Sequence, residues 1–347
     1  MGDRVEIRPT RRYSYHSGSA VRLGWQHAGA RGEFNNGGLI NQYSQPRNSV
    51  IVHQHALPRL SGMKFLPRPV DLVNKSVGLS GLTVTSGIAY DATERGKMDI
   101  YRPAGARALP VIVFFYGGSW QWGHRRDYSF IAALLAKQGF VVAVPDYRLY
   151  PEVKFPAFLH DCAAATAFVL KHAPEYGGNS GELFLLGHSA GAYNAVMIAL
   201  NPVFLGDQGV ATDQLAGIVG LSGPYDFLPL RDPDIKDIFS NPADLRLTQP
   251  VTFAREHAPP LFLAHGGADT TVLPRNTTAL AARLRQRGSV VETKIYPKLG
   301  HIGIILAVLP YLSWRAPVFT DALAFIAACR AGEHAGARSE VGAPMIG

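Results

Sequence analysis

From about residue 84 onward the chain alternates short apolar runs, many of them β-branched, with longer helix-like stretches. This alternation constrains the fold more than any single motif. The runs "VIVFFY", "FVVAVP", "LFLLG", "AGIVGLSG", "LFLAHG" and "VVETKIYP" are the kind buried on both faces in a parallel sheet. Between most of them stand "DYSFIAALLAKQG", "PAFLHDCAAATAFVLKHA", "SAGAYNAVMIALN" and "NTTALAARLRQRG", and "APVFTDALAFIAACRAG" closes the series. Ahead of them, "TVTSGIAY" and "GKMDIYRP" are joined by the polar "DATER", which predicts a hairpin. Two leading strands followed by β-α alternation predict an α/β fold: a mostly parallel eight-stranded sheet with helices on both faces.

The 347 residues are 47% apolar, ample for a buried core. The net charge of +8 is uneven. Residues 1–62 hold eight Arg, no Lys and three Asp/Glu, about +5, which leaves about +3 for the rest. That stretch has no sustained period and reads as a flexible basic extension. It is followed by a catalytic domain over 63–335 and a frayed tail over 336–347. No basic face or module marks a nucleic-acid binder. Cys162 and Cys329 fall in helix-like segments without metal spacing, and His53 and His55 of "HQH" lack a third ligand nearby, so neither metal nor cofactor is expected. The N-terminus lacks the apolar core of a secretory signal, and "HIGIILAVLPYL" is too short to span a bilayer. A soluble, cytoplasmic protein without stable membrane insertion is the expectation; the oligomeric state is open.

The pattern G-x-S-x-G occurs once, in "LFLLGHSAGAYNA". Ser189 follows the fifth strand and opens a helix, a sharp turn at which Gly187 and Gly191 stand where a Cβ would clash. Its hydroxyl would stand above the sheet's C-terminal edge, where open α/β sheets build their sites. A nucleophilic serine needs a base and an orienting acid. His301 follows the last strand, and Asp269 lies in the Gly-rich turn after the penultimate one, in the chain order this fold requires. Asp226 is the weaker candidate acid; His265 reads as a packing or capping residue, and His188 as structural, pointing away from Oγ. An oxyanion hole needs converging backbone N–H groups, expected from Gly118, Ser119 and Ala190. Trp120, Trp122, Tyr193 and Phe227 either line an apolar pocket or pack in the core. Residues 223–259 are long enough for a small helical lid.

Residues 84–330 resemble the α/β-hydrolase superfamily, in its esterase/lipase group of hormone-sensitive-lipase-like carboxylesterases and arylformamidases. The resemblance is carried by "GHSAG", "YGGSW", "DYRLYPEVKFPAFLHD", "GGADTTV" and "GHIGI". It implies an α/β-hydrolase fold, no cofactor, and hydrolysis of a small-molecule ester of small to medium acyl length through an acyl-enzyme. An arylformamidase-like amidase, or a non-catalytic binding member of the fold, is the alternative. Tyr116 replaces the usual His of the oxyanion loop and Ser119 its third Gly or Tyr. Tyr147 and Arg148 read as supports of that loop.

Overall fold

The computed structural model describes residues 68–334. The expectations for residues 1–62, for His53 and His55, and for the tail over 336–347 lie outside them. In chain order the strands are β1 (Leu82–Ala89), β2 (Lys97–Pro103), β3 (Leu109–Phe115), β4 (Val141–Pro145), β5 (Gly178–His188), β6 (Leu215–Leu221), β7 (Leu261–Gly266) and β8 (Val291–Tyr296). They form one sheet in the order β1-β2-β4-β3-β5-β6-β7-β8. β1 runs antiparallel to β2 (Thr83 opposite Arg102) and β2 antiparallel to β4 (Ile100 opposite Ala143). All remaining pairings are parallel, among them Val113 with Leu185, Leu186 with Val219 and Leu263 with Thr293. The burial of the strands follows from this order. β4 and β7 are buried along their whole length and read as continuous apolar runs, whereas the outermost strands, β1 and β8, carry exposed Thr and Lys residues.

The helices are α1 (Pro69–Val77), α2 (Ser129–Lys137), α3 (Ala157–His172), α4 (Ala190–Leu200), α5 (Pro202–Gly206), α6 (Pro233–Ile238), α7 (Arg275–Gln286), α8 (His301–Leu306) and α9 (Val318–Arg330). They cover both faces of the sheet. α2 packs on β2 and β4, α4 on β5 and β6, and α7 on β7 and β8. Every residue of α4 is buried, as a helix apolar on all sides requires. Three helices differ from the sequence reading, among them the short α5, which is not expected after α4. α1 lies ahead of the first strand, and the base segment, expected as loop, is helical from His301 onward. No helix among the described residues is long and apolar enough to cross a membrane.

Residues 223–259 contain α6 and two short 3-10 turns, Leu245–Thr248 and Pro250–Phe253. Asp232 caps α6 by accepting from the N–H groups of Asp234 and Ile235. Phe239, just past α6, is fully buried and meets Trp120 edge-on at 4.8 Å. Tyr150 and Lys154 both bind the Asp237 carboxylate. The insertion is therefore anchored by an aromatic plug and by polar ties.

Candidate active site

β5 ends at His188 and α4 begins at Ala190, so Ser189 alone makes the turn, at φ 56° and ψ −123°. A non-glycine residue in that region is strained and persists only where its surroundings hold it. The Ser189 N–H donates to Leu221 O at 2.9 Å, tying the turn to the end of β6. A Cβ on Gly187 would lie 2.3 Å from Gly191 O, and one on Gly191 would lie 2.0 Å from Phe115 O. The elbow thus tolerates no side chain at either position. Gly191→Ala is expected to cost about 3 kcal/mol, read as a lower urea midpoint; an unchanged midpoint would contradict this geometry.

His301 is the first residue of α8. The Ser189 hydroxyl donates to its Nε2 at 2.8 Å, and its Nδ1–H donates to Asp269 Oδ2 at 2.8 Å. Asp269 is buried, and its Oδ1 accepts the N–H groups of Thr271 at 3.0 Å and Val272 at 2.9 Å. Burial alone would raise this carboxyl. Hydrogen bonds with His265, His301 and the Val272 N–H outweigh it and hold the group well below the usual carboxylate range. Asp226 is placed otherwise: its N–H donates to Asn276 Oδ1, and the imidazole of His301 meets Asp269 instead.

Two further histidines flank the three groups. His265 is fully buried, donates from Nε2 to Val272 O at 2.8 Å and stands 3.4 Å from Asp269 Oδ2. Its sequence position, at the end of β7, suggests packing; its contact with Asp269 follows only from the way the next loop folds back. His188 is buried as well and lies against His301, its Nε2–H donating to the His301 carbonyl at 3.0 Å.

The His188 imidazole is pushed down to about 3 by its burial, then by the neighbouring His301, with His265 adding a little; the His301 carbonyl and Asp269 oppose the shift. In the unfolded chain an imidazole takes up its proton near about pH 6.5. Between that value and about 3 the unfolded state binds a proton that the native state refuses, so acid favours unfolding. The stabilisation is complete above the unfolded value and is lost as pH falls toward the folded one, by up to about 1.4 kcal/mol per pH unit. Urea midpoints measured from about pH 7 down to about pH 4 should fall more steeply for the native protein than for His188→Gln. Equal slopes would contradict the assignment.

The loop after β3 approaches the elbow from the other side. A Cβ on Gly117 would stand 3.0 Å from Ser189 Cβ. Gly118, Ser119 and Trp120 follow with φ of +135°, 51° and 59°. The Gly118 carbonyl accepts from the N–H groups of Gln121 and Trp122, and that of Trp120 from Tyr150 N–H. Two of the loop's carbonyls are thereby held, that of Gly118 within its own turn and that of Trp120 by Tyr150. Behind the loop runs a buried polar network. Tyr116 donates to Asp146 Oδ1 at 2.8 Å, Arg95 donates to the Tyr116 hydroxyl, and Arg125 bridges Asp146 and Asp99. Tyr147 donates to Tyr116 O at 2.8 Å and so supports the loop. Arg148 does not: it binds Asp161 of α3.

Among the four aromatic candidates for the pocket, Trp120 and Tyr193 belong to the core. Trp120 is 3% exposed, with its indole N–H bonded to Asn194 Oδ1; Tyr193 is fully buried, with its hydroxyl bonded to Thr248 O at 2.7 Å. Their polar tips find partners inside, so both rings fill the space between α4 and the insertion. Phe227 is partly buried against them, and Trp122 is 60% exposed beside Gly118.

The BD-FAE family model matches residues 98–284, more than half of the chain, which includes Ser189 and Asp269 but stops short of His301. A probable isoprenylcysteine alpha-carbonyl methylesterase, ICMEL1, of Oryza sativa subsp. japonica is 27% identical over 246 residues, 64% of this chain and 58% of that protein. A kynurenine formamidase of Salmo salar is 28% identical over 189 residues, 53% of this chain and 60% of that protein. The chain therefore spans little more than half the length of these curated relatives. Among solved structures, esterase 2 of Thermogutta terrifontis phosphonylated by sarin superposes with a TM-score of 0.56 at 22% identity, over 65% of this chain and 86% of that one. What the two share is the fold.

Proposed function

The chain belongs to the BD-FAE family, and from that premise we propose that it is a serine carboxylesterase acting on small to medium acyl esters. The observation that carries the reading is the unbroken relay from Ser189 Oγ through His301 to Asp269, with both hydrogen bonds at 2.8 Å. Ser189 attacks the ester carbonyl carbon while His301 Nε2 takes its proton. The carbonyl oxygen, now anionic, accepts from the N–H groups of Gly118, Ser119 and Ala190, aided by the positive end of α4. Collapse breaks the bond to the alcohol, which leaves with the proton from His301. Water, deprotonated by the same imidazole, then releases the acid and restores Ser189. Asp269 stays ionised and holds the Nδ1–H tautomer throughout.

Within the esterase/lipase group, "GHSAG" and "DYRLYPEVKFPAFLHD" support the carboxylesterase reading, whereas "YGGSW" partly resembles the loop of arylformamidases. The similarity to a kynurenine formamidase keeps an arylformamidase-like activity as the second reading. Steady-state rates on p-nitrophenyl acetate, butyrate and octanoate beside N-formylkynurenine separate the two. The esters should show the higher kcat/KM, with a preferred acyl length among them. Faster cleavage of the formamide would make the second reading the correct one.

A further inference from the structure

The nucleophile elbow carries a buried titratable group that the reaction scheme does not use. His188 is 2% exposed, its Nε2–H donates to the main-chain carbonyl of His301 at 3.0 Å, and the two rings lie 5.0 Å apart. Its other nitrogen, Nδ1, is buried without a hydrogen-bond partner and faces Gly117, 3.2 Å from where a Cβ would stand. An unpartnered buried acceptor costs the hydration that it has lost without replacement. An apolar side chain of similar size would avoid that cost, but it would also lose the bond to His301.

That bond closes a circuit. His188 and Ser189 are adjacent in the chain; Ser189 Oγ binds His301 Nε2; the His301 carbonyl returns to His188. The position of the base relative to the nucleophile is therefore set twice, once through the side chain of His301 and once through its backbone. α8 is only six residues long and begins at His301 itself, so its own helical bonds restrain that first residue weakly. The edge of the same ring lies beneath Gly117 at the start of the oxyanion loop. One imidazole thus touches the elbow, the base segment and the loop.

We infer that His188 is a positioning residue, which holds the main chain of His301 and thereby fixes the base at attack distance from Ser189. The inference rests on Ser189 as nucleophile and His301 as base. Its role is exerted on the rate of acylation and leaves substrate affinity untouched, because His188 is sealed from the surface. The hydrogen bond also fixes its tautomer: neutral, with the proton on Nε2.

The test compares His188→Leu, which keeps apolar bulk without a donor, with His188→Gln, whose amide N–H reaches about as far as Nε2. With p-nitrophenyl butyrate, the Leu variant should lose about 10- to 100-fold in kcat with KM within about twofold of the native value. Its inactivation by a fluorophosphonate should slow in parallel, and Gln should restore most of both rates. A Leu variant as fast as the native protein, or Gln no better than Leu, would overturn the inference. If neither variant folds, the ¹⁵N imidazole spectrum of the native protein decides: a neutral Nε2–H tautomer of His188 supports the role, and an Nδ1–H tautomer or imidazolium at neutral pH refutes it. Ser189→Ala, assayed alongside, keeps the two claims apart. If it retains activity, the esterase reading itself fails; if it is inactive while the Leu variant is fast, only the role of His188 fails.

Discussion

Ser189→Ala should abolish ester turnover by at least about 10⁴-fold while leaving the fold intact, because nucleophile and base act as a unit and neither is replaced by the other. The substitution removes one oxygen from a side chain that is 8% exposed and donates to His301. The turn itself is held by Ser189 N–H to Leu221 O and by the glycines on either side, none of which changes. Thermal or urea midpoints should therefore stay close to the native value while kcat collapses. Residual activity within about tenfold of native would remove Ser189 from the reaction.

Asp269→Asn should be almost as damaging, lowering kcat by up to about 10⁴-fold. Asn preserves the shape of the acid, but its amide group offers Nδ1 of His301 a donor where a carboxylate oxygen now accepts. The imidazole then carries its proton on Nε2, and the Ser189 hydroxyl loses its acceptor. The same change leaves a buried site short of one negative charge that His265 and the Val272 N–H also face. Asp226→Asn is the matching control. The Asp226 main chain is held by Asn276 rather than by the base, so its loss should leave kcat within about twofold. Reversal of that order would mean that the wrong carboxylate bears the role.

Much of the architecture was legible in the chain because a buried parallel sheet writes itself as uninterrupted apolar runs. "VIVFFY" and "LFLAHG" have no polar face to spare, and β3 and β7 are buried accordingly. Ser189, Asp269 and His301 stand out for a similar reason: each occupies the residue or loop that follows a recognisable strand, so topology carries them to one edge of the sheet. What was hidden depends on where side chains turn. Trp120 closes the loop after β3 and Tyr193 follows the elbow, yet both point inward, Trp120 from a left-handed backbone that no local pattern announces. The network of Arg95, Tyr116, Arg125 and Asp146 joins residues 21 or more positions apart, and charged residues in separate segments give no sign of partnership. α8 was masked by its own composition. "HIGIIL" is rich in β-branched residues and reads as loop, but it forms a helix that starts after Gly300 and buries Ile304 and Ile305. Arg148 shows the converse error: its place beside Tyr147 suggests a shared task, whereas its side chain turns to Asp161.

The most direct measurement of the central claim is covalent trapping followed by peptide mass spectrometry. The native protein is treated with a fluorophosphonate, digested, and the adduct located by fragmentation. A single adduct on Ser189, formed in step with the loss of esterase activity and absent in His301→Ala, is the result expected of a serine activated by that imidazole. No adduct while ester turnover continues, or an adduct on another residue such as Ser119 or Ser222 that tracks the loss of activity, would contradict it.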